Sequence, residues 1–119
     1  MGSSNSERGA RYKKRSKDWC KKHGHPVADM ELVRVVHTSE GVFPTKRDQW
    51  GSDLQYLTSA GATMLQVKGG GKPTITLVKE AQKKFDDHSF PASVRLEVHV
   101  WRPRARAPEI IECKKTNVL

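Results

Sequence analysis

The sequence predicts an α/β (α+β) domain, with a central mixed sheet of about five strands flanked by two helices. Three observations predict it. SVRLEVHVW, residues 93–101, alternates cleanly for nine residues, which is the period of a strand. Two stretches, about 8–23 and 75–88, carry apolar residues at helical spacing. The remaining strand-like runs fall in the order helix, three strands, helix, two strands, an order that belongs to mixed folds. At 119 residues there is room for one core. Residues 1–7 read as a disordered tail and 8–119 as a single domain.

The elements follow from local chemistry. In the first helix, Tyr12, Ser16, Trp19, Cys20 and His23 share one stripe and basic residues cover the rest, so it should lie as a lid on the sheet. Gly24 ends it and Pro26 prevents its continuation. ELVRVVH, 31–37, is β-branched and predicts a strand. TSEGVFPTKRDQWGS, 38–52, with two glycines and a proline, reads as a long loop. Residues 53–58 and 63–68 read as a hairpin, and GGGKP, 69–73, as a flexible break. Thr74 is the expected N-cap of the second helix, whose apolar face is Ile75, Val78, Ala81, Gln82 and Phe85. In 93–101, Val94, Leu96, Val98 and Val100 face one way, while Arg95, Glu97, His99 and Trp101 face the other. His99 and Trp101 thus lie opposite the valines, a candidate surface for a second copy in a homodimer unless the second helix covers that face. EIIEC, 109–113, closes the sheet.

Charge narrows the partners. The formal net charge is +9, and +6 of it lies before residue 25, carried by Arg8, Arg11, Lys13, Lys14, Arg15, Lys17, Lys21 and Lys22 against Glu7 and Asp18. Such a local excess points to a polyanion, DNA first, although a solvated basic helix would look the same. No apolar run approaches a membrane span, and MGSSNSERGARYKKRSK predicts no secretory signal. Cys20 and Cys113, 93 positions apart and without CxxC spacing, predict free thiols and a cytoplasmic setting.

The hairpin holds the one unusual constellation. A turn centred on Ala60–Gly61 sets Asp53 opposite Lys68, Gln55 opposite Gln66 and Leu57 opposite Met64, all on one face. Gln66 and Lys68 share that face in any register, whereas a one-residue slip would turn Asp53 away. A carboxylate beside an amide oxygen suits Mg²⁺ or Mn²⁺, and a neighbouring lysine can hold an attacking water or offset phosphate charge. An ordinary cross-strand ion pair between Asp53 and Lys68 accounts for two of the three equally well.

Asp-x12-Gln-x-Lys on strand–turn–strand, followed by a helix, resembles the core of the PD-(D/E)XK nuclease superfamily, and GARYKKRSKDWCKKHGHPV, 9–27, is similar to the N-terminal helix of its members. Archaeal Holliday-junction resolvases and the Mrr-like and phage resolvase-like nucleases are nearest. The resemblance covers about residues 7–113. It implies a restriction-endonuclease-like core and a Mg²⁺- or Mn²⁺-dependent endonuclease that hydrolyses phosphodiesters in duplex or branched DNA, in recombination or repair. Asp53, Gln66 and Lys68 would be catalytic, with Asp53, Gln66 and the main-chain carbonyl of Val67 holding the metal. The chain departs from the pattern twice: Lys13 stands where these families usually carry a glutamate, and Gln66 replaces the commoner glutamate. Glu7, Glu31 and Asp48 are the other acids that could supply a ligand. Loss of catalysis with DNA binding retained is the alternative.

Arg11, Lys14, Arg15 and Lys17 on the first helix, Lys72 in the glycine-rich loop, and Arg102, Arg104 and Arg106 in WRPRARAP are the candidate phosphate contacts. KGGGKPT lacks the spacing of a phosphate-binding loop, and His23-x-His25 has no partner ligand in register.

Overall fold

The computed structural model describes the backbone of residues 5–119 and the side chains of 8–31, 37–42 and 49–119. The chain runs α1 (Asn5–Lys22), β1 (Val27–Asp29), β2 (Glu31–Thr38), β3 (Gly41–Asp48), β4 (Leu54–Thr58), β5 (Gly61–Gly69), α2 (Thr74–Asp86), β6 (Ser89–Phe90), β7 (Arg95–Trp101), β8 (Glu109–Cys113) and β9 (Asn117–Val118). The fold is α+β. Five strands in the order β1-β4-β5-β7-β8 form a mixed sheet in which only β5 and β7 run parallel. A helix joins that parallel pair, as a parallel connection requires.

The two faces of the sheet are covered by the two helices. On one face Leu77, Ala81 and Phe85 of α2 pack on Met64, Leu96, Val98 and Val100. On the other, Cys20 of α1 joins Leu54, Tyr56 and Leu65, with Trp19, Val27 and Val67 at the margin. The alternation in β7 places its valines under α2, and Glu97, His99 and Trp101 towards α1. Close approach of α1 depends on Gly69: a Cβ there would lie 2.4 Å from the ring of Tyr12.

Several expectations are corrected. α1 begins at Asn5, within the stretch read as a tail, while residues 1–4 of that tail lie outside the described residues. The loop read over 38–52 instead contains β3, which pairs with β2 in a separate two-stranded ribbon. Pro44 is tolerated there because a ribbon has an open edge on each strand. The 53–68 hairpin turns at Ser59–Ala60, with Thr58 opposite Gly61 and Gln55 opposite Met64, so every pair is shifted by two from the expected register. A shift of two keeps each residue on its face. Pro73, not Thr74, is the N-cap of α2, and Ile75 is 65% exposed while Leu77 takes its place in the core. His99 (0% exposed) and Trp101 (3%) offer no partner surface because α1 covers them. There the Ser16 hydroxyl accepts the Trp101 indole N–H at 2.7 Å and bonds to His99 Nδ1 at 3.0 Å.

Candidate active site

The last β4–β5 pair is Leu54 with Leu65, yet β5 continues to Gly69. Beyond that pair β7 flanks β5 on one side, and the other side has lost its neighbouring strand. Asp53 fills the gap locally. Its backbone N–H donates to Leu65 O at 2.9 Å, and its Oδ2 accepts the Val67 N–H at 2.8 Å, so a side chain does the work of the missing strand. The carboxylate is thereby fixed beside Gln66 and Lys68.

The turn before β4 sets the next contact. Trp50 (φ 50°) and Gly51 (φ 66°) are successive left-handed residues between Gln49 and Ser52, the geometry of a type I′ turn. That turn aims the Gly51 carbonyl at the Gln66 amide, whose Nε2 donates to it. Gln66 is fully buried, and its Oε1 has no hydrogen-bond partner among the described residues. A buried amide oxygen left unpaired is costly.

Asp53, Gln66, Val67 and Lys68 line one wall of a cavity of about 710 Å³. α1 supplies much of the rest, and Lys84 comes from α2. Six lysines (13, 14, 17, 21, 68 and 84) face four carboxylates (Asp18, Asp29, Glu31 and Asp53), so the cavity is net cationic. Lys68 lies 4.0 Å from Glu80. Lys13 bridges Asp29 at 2.9 Å and Glu31 at 3.3 Å, and Lys17 reaches Asp29 at 2.7 Å. Burial works against the charge on Lys13, but Asp29 and Glu31 outweigh it and hold its pKa above the ordinary value. Hydrogen bonds from Lys17 and then Lys13 hold the Asp29 carboxyl below its own.

The oxygens on the β5 wall suit a hard divalent cation in kind: the Asp53 carboxylate and the unpartnered Gln66 Oε1. Among the described residues no three His, Cys, Asp or Glu side chains are grouped to hold a metal. A cation here would take one carboxylate, neutral oxygens and water. Glu31 reaches the cavity but is engaged by Lys13, and the side chains of Glu7 and Asp48 lie outside the described residues.

The expected phosphate contacts separate into three groups. Lys14 and Lys17 line the cavity and Arg11 is exposed on the same helix, with Lys17 already paired to Asp29. Arg15 and Arg106 line a second groove on the other flank of α1. Lys72 pairs with Glu80 at 3.2 Å, and Arg104 is exposed with φ 64°. Arg102 is a structural tie: its guanidinium donates to Gly70 O, Lys72 O and Thr74 Oγ1 and lies 3.6 Å from Glu109, fastening the glycine-rich loop to the start of α2. The Asp29/Glu31 cluster around Lys13 escaped the sequence reading. Its signal was the lysine at a position where the resemblance calls for an acid.

No protein-family model matches the chain, and no curated protein matches it significantly. Among the described residues no helix is long and apolar enough to cross a membrane.

Proposed function

We propose that this protein is a small metal-dependent DNA endonuclease of the PD-(D/E)XK type, acting on duplex or branched DNA. The observation that carries this reading is the meeting of Asp53, Gln66 and Lys68 at the open edge of β5, inside a lysine-rimmed cavity. Asp53 and Gln66 Oε1, with the Val67 carbonyl, would hold Mg²⁺ or Mn²⁺. When bound, such an ion polarises a phosphoryl oxygen and lowers the pKa of a coordinated water. The protein does the rest. The Asp53–Val67 bond keeps the carboxylate from rotating away, and the Gly51 carbonyl holds the Gln66 amide in one orientation. Lys68 orients the attacking water and offsets charge that builds on the phosphate. Lys14 and Lys21 on α1 draw in the neighbouring phosphates. Cys20 and Cys113, both free and buried, suit a reducing cytoplasm.

One observation favours a second reading, a DNA-binding protein of the same fold without catalysis. The Lys13 ammonium already occupies the carboxylates Asp29 and Glu31, as an internal counter-ion. Incubating the protein with supercoiled plasmid and a four-way junction, in Mg²⁺, in Mn²⁺ and in EDTA, separates the two. Cleavage in the metals alone supports the endonuclease. Tight binding with no cleavage in either metal establishes the second reading, and no DNA binding at low salt overturns both.

A further inference from the structure

The flank of α1 that faces away from the lysine cavity borders a groove of about 660 Å³, closed on its far side by the turn at 105–107. Its walls are aromatic and its rim is basic. Trp19 is half-buried, and the exposed His23 ring lies against it, with centroids 4.3 Å apart and planes at 31°. The Trp19 carbonyl can only accept, so the 2.8 Å contact to His23 Nδ1 places a proton on that nitrogen and fixes the ring. Deeper in, the Arg15 guanidinium sits 5.9 Å from the Trp101 ring centroid. Arg15, Lys22 and Arg106 bring three positive charges against the single carboxylate of Asp18.

We infer that this groove binds an unpaired nucleotide of single-stranded DNA, its base on the Trp19–His23 platform and its phosphates among Arg15, Lys22 and Arg106. Ring faces set among cations match the two halves of a nucleotide, a π-surface and an anion, and the volume lies in the range of small-ligand sites. A duplex keeps its bases stacked and would meet only the cations. Asp18 lines both the groove and the lysine cavity, so a strand crossing the outer face of α1 reaches both. The inference deepens the proposed function by naming a substrate with unpaired nucleotides. It rests on that reading for the choice of nucleic acid but not on catalysis.

The test uses the full chain carrying Trp50→Phe, so that emission comes from Trp19 and Trp101 alone. It is titrated with an oligothymidylate of about eight nucleotides, a length within the range of single-strand sites, with a duplex of equal length, and with inorganic phosphate. Saturating oligothymidylate should quench the emission, and phosphate should not. Adding His23→Ala, at an exposed position, should weaken single-strand binding about tenfold and duplex binding by less than about threefold, as expected when half of the stacking platform is lost. An unchanged far-UV spectrum and melting temperature keep the comparison valid, and if that variant fails to fold, His23→Leu, which keeps bulk and removes the ring, is compared in its place. Absence of quenching at saturation, or equal losses on both DNAs, overturns the inference. A protein that quenches but never cleaves fails the endonuclease reading and leaves this one standing.

Discussion

The Val67 amide donates to Oδ2 of Asp53 at 2.8 Å, just where β5 outruns its antiparallel neighbour. The same carboxylate thus satisfies the backbone and faces the cavity. Asp53→Ala leaves a part-buried N–H unpaired and should cost about 1–3 kcal/mol. Asp53→Asn keeps an oxygen that can accept and should cost less. Urea denaturation of the three proteins gives the ranking. Equal midpoints would mean that the bond does not hold the strand end.

Gly51 should tolerate no side chain. A Cβ there would stand 2.6 Å from the Lys84 carbonyl oxygen, and the residue's φ of 66° strains any L-residue. Gly51→Ala should destabilise the fold by about 1–3 kcal/mol. It should also displace the carbonyl that accepts from Gln66 Nε2. Thermal melting reads the first effect, and the shift of the Gln66 side-chain amide resonance reads the second.

How much of this was legible in the sequence depends on the range of the forces involved. α1, α2 and β7 follow from periodicity, and each lies close to where its apolar spacing puts it. The shared face of Gln66 and Lys68 needed only the alternation of a strand. β3 was hidden because Pro44 and Gly41 read as loop signals, whereas a two-stranded ribbon accepts both. The hairpin register was missed by two because Gly61 (φ 125°) begins β5 and does not sit in the turn. Local sequence could not show that α1 would bury His99 and Trp101, since that depends on Ser16, 83 and 85 positions away, bonding to both. The ties made by Arg102 were hidden for the same reason. Its partners Gly70, Lys72 and Thr74 lie some thirty residues earlier.

His99 makes stability depend on acid. Burial drives its pKa from the ordinary 6.5 down to about 4. As pH falls below about 6.5 the unfolded chain takes up a proton that the folded ring refuses, so stability is whole above that pH and is lost down to about pH 4. The loss should approach about 3 kcal/mol, from ~1.4 kcal/mol per pKa unit. His99→Asn has no titrating ring and should show a flatter dependence across this window. The Asp29 carboxyl, held below its ordinary value by Lys17 and Lys13, adds a loss of its own that begins only near the acid end of this window.

Salt should weaken DNA binding steeply. With about five to seven phosphates neutralised at ~0.9 counterion each, log K against log [salt] should slope at roughly −5 to −6 on a duplex. Replacing Lys14, Arg15 and Lys17 together with alanine should flatten it by about two units and not three, because Asp29 already compensates Lys17. An unchanged slope would remove α1 from the DNA-binding surface.

In the proposed reaction Asp53 and Lys68 act together on a phosphodiester at the open edge of β5. Single-turnover cleavage of a four-way junction in Mg²⁺ and in Mn²⁺, with binding measured in parallel, separates their chemical role from DNA binding. Wild-type protein should cut. Asp53→Ala and Lys68→Ala should each lose at least about a hundredfold in rate, the usual scale for a lost electrostatic or metal-holding group, while binding falls far less. Cleavage by either variant at the wild-type rate would contradict the claim.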